Sequence, residues 1–141
     1  MKNLLTRITP IADSRGAIVA LEALREHVPF DIKRVYYMYD LQHDKPRGHH
    51  AHKVTDQILI CLHGGCDVLM DDGVCESTYT LSAPYEILHI PPMYWHTLSN
   101  FLDSTVIMAI ASERYNESDY IRQYTDFIDL VQAQQASKAE K

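Results

Sequence analysis

Short runs of β-branched and aromatic residues alternate with Gly, Pro and Asp turn residues along most of the chain. This pattern is typical of an antiparallel β-sandwich or barrel in which tight turns join neighbouring strands. Gly64-Gly65 and Asp71-Asp72-Gly73 predict two hairpin turns, because glycine accepts positive φ. The predicted strands span residues 17–22, 32–39, 58–62, 66–70, 74–81, 85–90, 95–98 and 105–111.

The tail after residue 117 follows a different period. Its apolar side chains recur at i, i+3, i+4 and i+7, and Ser118 is a suitable N-cap. We predict one amphipathic helix over residues 118–133, with fraying after Gln132. No repeat or linker divides the sequence, so residues 1–141 are expected to form a single all-β domain, a small antiparallel barrel with one C-terminal helix.

Composition narrows the classes of function. The 141 residues carry a formal net charge of −6 without a basic run, which argues against nucleic acid and an anionic membrane surface as partners. No apolar stretch approaches the ~20 residues that cross a bilayer, and residues 1–10 lack the apolar core of a signal peptide. Three cysteines without a C-x-x-C pair indicate reduced, buried thiols. We therefore expect a cytoplasmic protein.

The segment that follows Pro46 places histidines two positions apart. On a β-strand this spacing points the imidazoles of His50 and His52 to the same face, while His49 faces away. Arg34 and Tyr36 likewise share one face of a preceding strand, since side chains alternate there. Inward histidines, a phenol and a guanidinium within reach of one another predict an acid–base site inside the barrel.

A later histidine completes this pattern. His96 follows a Pro-Pro turn, and an inward His-x-His strand with a downstream acidic residue and a later histidine resembles the cupin signature. Two positions depart from that signature, because Gln57 replaces the usual glutamate and Met93 replaces a glycine. The loss of a carboxylate weakens the electrostatic hold on a cation. We expect no metal and no cofactor, although His50, His52, Gln57 and His96 as ligands of a transition metal remain an alternative.

Over almost its whole length the chain resembles the sugar-nucleotide 3,4-ketoisomerases, a cupin family that acts on dTDP-4-keto-6-deoxyglucose. The resemblance implies a jelly-roll cupin barrel and a metal-free isomerisation of the keto group from carbon 4 to carbon 3. The segments that carry it are Asp13-Ser14-Arg15-Gly16, residues 29–37, 46–53 and 57–64, Trp95-His96, and residues 111–122 with their Ser-Asp-Tyr-Ile-Arg ending.

The resemblance also implies roles for single residues. His50 is the proton acceptor at carbon 3, Tyr36 passes protons between the two sugar oxygens, and His52 orients or assists. Arg15 and His96 resemble the branch that gives the galacto epimer, a precursor of 3-amino-3,6-dideoxygalactose in surface polysaccharides. The expected substrate-binding residues are Arg15, Arg34, Arg47, Gln57 and His96.

The family resemblance further implies a homodimer in which N-terminal strands within residues 1–30 are exchanged. The implied partner is a dTDP-linked 4-keto-6-deoxy sugar. Three other functions remain compatible with the residues: a sugar-nucleotide 3,5-epimerase, a metal-dependent cupin enzyme, and a cupin that binds a nucleotide sugar without turning it over.

Overall fold

The structure, a computed structural model, describes residues 2–140. Within that range the chain forms twelve strands, one 3₁₀ turn (Glu117–Asp119) and one helix. The strands are β1 (Leu5–Arg7), β2 (Ile11–Asp13), β3 (Gly16–Ile18), β4 (Arg34–Met38), β5 (Arg47–His52), β6 (Gln57–His63), β7 (Cys66–Asp71), β8 (Glu76–Leu81), β9 (Glu86–Ile90), β10 (Trp95–Ser99), β11 (Val106–Ala111) and β12 (Tyr120–Ile121), and the helix is α1 (Tyr124–Ala139).

Two antiparallel five-stranded sheets make up the barrel. One has the order β1-β9-β6-β11-β4 and the other the order β12-β5-β10-β7-β8. Alternate residues of each strand point inward, so Leu59 of β6 and Val68 of β7 meet in one apolar core although they lie in different sheets. The predicted all-β cupin barrel with a C-terminal helix is confirmed.

The N-terminal region differs from the predicted strand at 17–22. It forms instead the hairpin of β2 and β3, with Asp13 paired to Gly16 across the turn. The Asp13 carboxylate accepts the backbone N–H of Arg15 at 2.8 Å, which closes the predicted turn, and the strand after it ends at Ile18 rather than at Glu22. This hairpin forms a sheet of its own, and all residues of both strands are exposed.

The strand predicted at 74–81 begins at Glu76 instead. The Asp72 carboxylate accepts the backbone N–H groups of Val74 and Cys75, each at 2.9 Å, and so prolongs the turn. Cys75 is consequently exposed, which corrects the expectation that all three thiols are buried; Cys61 and Cys66 do lie in the core.

The predicted helix at 118–133 is wrong at both ends. Ser118 lies in the 3₁₀ turn, and Tyr120–Ile121 then pairs with β5 as strand β12, so the helix starts at Tyr124. It continues to Ala139 rather than fraying after Gln132, because Ala, Gln and Lys favour helix. Among residues 2–140, the helix found is not long and apolar enough to cross a membrane.

Candidate active site

A pocket of about 630 Å³ opens between the two sheets. Inner-face residues of β4, β5 and β10 line it, together with the chain around β12. Polar and aromatic side chains therefore replace the aliphatic core at this place. The lining includes Arg34, Tyr36, Arg47, His50, His96 and Arg122.

Strands β5 and β10 bring three histidines together. The imidazole of His50 lies 4.6 Å from that of His96 and 5.0 Å from that of His52, measured between ring centroids. Gly48 makes this approach possible, since its φ is +95° and a Cβ there would lie 2.8 Å from the carbonyl oxygen of His96. His49, also with positive φ, is exposed.

Each of these histidines is held in one tautomer. Nδ1 of His50 lies 3.0 Å from the carbonyl oxygen of Gly48, and Nδ1 of His96 lies 3.1 Å from that of Tyr94. Because a carbonyl oxygen can only accept, Nδ1 carries the proton in both rings and Nε2 keeps its lone pair. Nδ1 of His52 lies 3.1 Å from a carboxylate oxygen of Asp119, with the same result.

Burial keeps the three imidazoles neutral. Desolvation lowers the pKa of His50 below its ordinary value, that of His52 to about 4 and that of His96 to about 3. The neighbouring imidazoles lower the pKa of His52 and His96 further. At neutral pH the pocket therefore presents uncharged bases, and His50 is the least buried of the three.

Tyr36 and Gln57 face this cluster as a bonded pair. The phenol donates to Oε1 of Gln57 at 2.5 Å, and burial raises the pKa of Tyr36 to about 12, so the phenol stays neutral. Arg34 stacks over the Tyr36 ring, with Cζ 5.2 Å from the centroid. The neighbouring residue Tyr37 is exposed on the other face of β4, as the alternation predicted.

Of the three arginines predicted to bind the substrate, two line the pocket and one does not. Arg34 and Arg47 line the pocket. Arg15 does not: it sits in the turn of the β2–β3 hairpin, 88 % exposed, with its guanidinium 2.6 Å from the Asp13 carboxylate. A short turn sequence fixes the local bend but not where a hairpin lies, so the sequence alone could not place Arg15.

Sequence reasoning about single residues missed a second group, which lies around β12. Asp119 holds His52, as described above, and Arg122 lines the pocket with its Cζ 4.4 Å from the ring centroid of Tyr120. Glu117 fixes Arg122 through two hydrogen bonds of 2.5 and 2.9 Å. Asp119, Tyr120 and Arg122 fall within the Ser-Asp-Tyr-Ile-Arg segment, for which the sequence predicted a helix, and Glu117 directly precedes that segment.

The histidine cluster fits a divalent transition metal in part. One ring nitrogen from each of His50, His52 and His96 lies within 4.8 Å of the others, and their remaining nitrogens are bonded to acceptors, as in metal sites. Within residues 2–140 no carboxylate joins this cluster. Gln57, at the position where a fourth ligand was expected, already receives the hydrogen bond of Tyr36. The donor set is thus neutral and suited to a weakly held ion.

A double-sheet barrel with inward histidines on β5 and β10 is a cupin. Its neutral imidazoles, phenol and guanidinium groups suit acid–base chemistry on an anionic ligand. Comparison with known proteins narrows this class. Residues 1–132 match the family described as FdtA: WxcM-like, C-terminal. The chain therefore belongs to the FdtA family, the family of the sugar 3,4-ketoisomerases.

Individual relatives agree with this membership. The chain is 45 % identical over 127 residues to TDP-4-oxo-6-deoxy-α-D-glucose-3,4-oxoisomerase of Aneurinibacillus thermoaerophilus, covering 90 % of this chain and 91 % of that one. A 3,4-ketoisomerase from Helicobacter canadensis is 39 % identical, with a TM-score of 0.87 over 91 % of this chain and 96 % of that chain. A variant of the QdtA 3,4-ketoisomerase of Thermoanaerobacterium thermosaccharolyticum, in complex with TDP-4-keto-6-deoxyglucose, is 35 % identical, with a TM-score of 0.88 over 94 % and 97 %.

Proposed function

We propose that this isomerase converts dTDP-4-keto-6-deoxyglucose to dTDP-3-keto-6-deoxygalactose without metal or cofactor. The observation that carries the proposal is a neutral imidazole, His50, whose Nε2 lone pair is free in a pocket shared with the phenol of Tyr36. The names of the relatives support 3,4-isomerisation over 3,5-epimerisation. The complex of the QdtA variant supports the choice of substrate.

His50 serves as the base in this proposal. Its Nε2 takes the proton from carbon 3 of the sugar, and the electron pair of that C–H bond forms the enediol. The proton on Nε2 exchanges with solvent, since His50 is only half-buried, and the same nitrogen then delivers a proton to carbon 4. A base with a pKa below neutrality is already deprotonated when the substrate binds, so it is ready for the first step.

Tyr36 moves the hydroxyl proton. The 3-hydroxyl gives its proton to the phenol oxygen while the phenol gives its own proton to the oxygen on carbon 4. The tyrosine is therefore unchanged after each turnover, and carbon 3 becomes the ketone. The hydrogen bond to Gln57 holds the phenol in place beforehand, and the neutral phenol can both donate and accept.

Arginines bind the charged part of the substrate in this proposal. Arg34 and Arg47 line the pocket and suit a diphosphate, because guanidinium binds phosphate oxygens in a bidentate manner. His96 lines the pocket and can contact the sugar, whereas His52 and Gln57 lie buried behind the lining, where they bond Asp119 and Tyr36. The galacto product is proposed from the resemblance at Arg15 and His96, since the face on which carbon 4 is reprotonated sets the epimer.

We also infer a homodimer in which the N-terminal strands are exchanged. The β2–β3 hairpin supports it, because Ile11 and Ile18 are 73 % and 64 % exposed on a sheet that pairs with no other strand among residues 2–140. Exchange of this hairpin would bring Arg15 to the partner's pocket, where it can act as a substrate ligand. Light scattering of the purified protein measures the mass and tests the dimer.

A cytoplasmic location and a role in making surface polysaccharide complete the proposal. The three free thiols support the location, because such thiols persist in reducing compartments. The polysaccharide role follows from the family resemblance.

The deciding experiment is proton NMR of dTDP-4-keto-6-deoxyglucose in deuterium oxide with chelator-treated protein. We expect a 3-keto product that carries deuterium at carbon 4, with coupling constants of the galacto epimer. A product that keeps its ketone at carbon 4 would indicate a 3,5-epimerase. Binding without exchange would indicate a sugar-binding cupin, and activity that returns only with iron or manganese would indicate a metal enzyme.

A further inference from the structure

We propose that Asp119 is a positioning residue that holds His52 with its Nε2 lone pair free and thereby stabilises the protonated form of His50 during turnover. The second half of this inference rests on the proposed function, in which His50 receives the proton from carbon 3. Asp119 lies on the 3₁₀ turn before β12, and β12 pairs with β5, the strand that carries both histidines. The chain thus brings a carboxylate to the back of the histidine cluster.

The Asp119 carboxylate is fully engaged and buried. It is 7 % exposed, and its Oδ1 accepts the backbone N–H of Val54 at 2.7 Å. Oδ2 accepts the Thr55 hydroxyl and, at 3.1 Å, Nδ1 of His52. An ionised carboxylate can only accept hydrogen bonds, so this geometry fixes the proton of His52 on Nδ1.

The other ring nitrogen of His52 shows why the tautomer matters. Nε2 is buried and has no hydrogen-bond partner among residues 2–140. Leaving such an acceptor unpaired is unfavourable, which a purely structural histidine would avoid. Ring nitrogens of His52 and His50 lie within 4.8 Å of each other. The hydrogen bonds of both Nδ1 atoms leave Nε2 as the nitrogen available in each ring. A lone pair on Nε2 of His52 attracts positive charge on the neighbouring His50, whereas an N–H there would repel it.

The matched variants are Asp119→Asn and Thr55→Val. Asparagine keeps the size of Asp119 and an oxygen for the Val54 N–H, but it can turn an NH2 group toward His52 and so move the imidazole proton to Nε2. Thr55→Val removes a hydrogen bond from the same carboxylate oxygen and leaves the acceptor that faces His52 unchanged. A loss common to both variants would therefore reflect support of the fold.

The readouts are the nitrogen-15 shifts of the imidazole nitrogens in the ligand-free protein, and kcat and KM on the keto sugar. We expect His52 protonated at Nδ1 in the wild type and in Thr55→Val, and at Nε2 in Asp119→Asn. We expect kcat to fall about 10²–10³-fold in Asp119→Asn with KM within about threefold, the range for a misplaced acid–base partner. Thr55→Val should keep kcat within about threefold of the wild type.

Two results would overturn the inference. One is a wild-type His52 protonated at Nε2, which is measurable even if Asp119→Asn does not fold. The other is a kcat in Asp119→Asn that matches Thr55→Val. A wild type that shows the expected tautomer but turns over no keto sugar would instead overturn the proposed function, and with it the catalytic half of this inference, while the positioning of His52 by Asp119 would stand.

Discussion

Two histidine–aspartate pairs occupy opposite sides of the barrel wall. His52 and Asp119 lie inside, 2 % and 7 % exposed, whereas His89 and Asp56 lie on the outer side of the β6–β9 sheet, 31 % and 27 % exposed. Both pairs are within hydrogen-bond distance, at 3.1 and 2.5 Å. The pairing alone thus does not distinguish a site from a surface contact.

The surroundings of the two pairs differ. The His52 ring lies 5.0 Å from that of His50 and 4.4 Å from that of Tyr120, two residues that line the pocket. In the outer pair, His89 lies beside aliphatic residues such as Ile58 and Ile87. A histidine paired with one carboxylate is therefore not enough to identify a candidate active site. The inner site is distinguished by several imidazoles that meet in a buried place.

The largest effect is expected from removing the inner base. His50→Asn should lower kcat about 10³-fold or more, since general base catalysis contributes 10²–10⁴-fold. The matched outer variant, His89→Asn, should leave kcat within about twofold. Steady-state assays on the keto sugar measure both. Equal losses in the two variants would show that the inner cluster is not the catalytic site.

The next largest effect is expected from a comparison of Tyr36 and Tyr37, which lie on opposite faces of β4. Tyr36→Phe removes the hydroxyl that bonds Gln57 and should lower kcat about 10²-fold through loss of proton transfer. Tyr37→Phe removes the same atom from the exposed face and should change little. Deuterium incorporation at the substrate's carbon 3 and carbon 4 by NMR adds a second measurement. Full activity in Tyr36→Phe would remove the phenol from the mechanism.

A smaller effect concerns the approach of β5 to β10. Gly48 and Gly16 both have positive φ, but a Cβ at Gly48 would lie 2.8 Å from the carbonyl oxygen of His96, while a Cβ at Gly16 meets nothing within 4 Å. Both alanine variants carry backbone strain. Gly48→Ala should lose about 1–3 kcal/mol more of the free energy of unfolding because of overpacking. Urea titration measures the difference, and equal losses would mean that β5 can move away from β10 freely.

The sequence predicts those features of the site that depend on neighbouring residues, and it misses those that depend on pairing between segments distant in the chain. Alternation along a strand is local, so it placed Tyr36 inward and Tyr37 outward, and it brought His50 and His52 to one face. The helical spacing near Asp119 is equally local, yet pairing of β12 with β5 overrides it and turns the segment into a strand.

Dependence on distant contacts also explains why the sequence did not predict the position of Arg15. Its turn was predicted from Asp13 and Gly16, and the hairpin has that turn. The direction in which the hairpin projects depends on contacts beyond the turn itself, and the structure leaves Arg15 outside the pocket. A periodic pattern therefore predicts which face a side chain occupies, whereas distant pairing decides which segments meet.

The smallest effect concerns pH and stability. Burial lowers the pKa of His50, His52 and His96 below their ordinary value of 6.5. Between 6.5 and these lowered values the unfolded chain binds more protons than the folded chain, so the free energy of unfolding falls as pH drops below 6.5.

His50→Asn tests whether the buried imidazole of His50 contributes to this pH dependence of the free energy of unfolding. The variant removes one of the groups that must stay neutral in the folded state, so its free energy of unfolding should decline less steeply from pH 7 to pH 5 than that of the wild type. Urea titrations across that range give both slopes, and carboxylates contribute little there because their ordinary pKa lies near 4. Identical slopes would mean that His50 takes up a proton in the folded protein as readily as in the unfolded chain. Burial would then not keep the His50 imidazole neutral before the substrate binds.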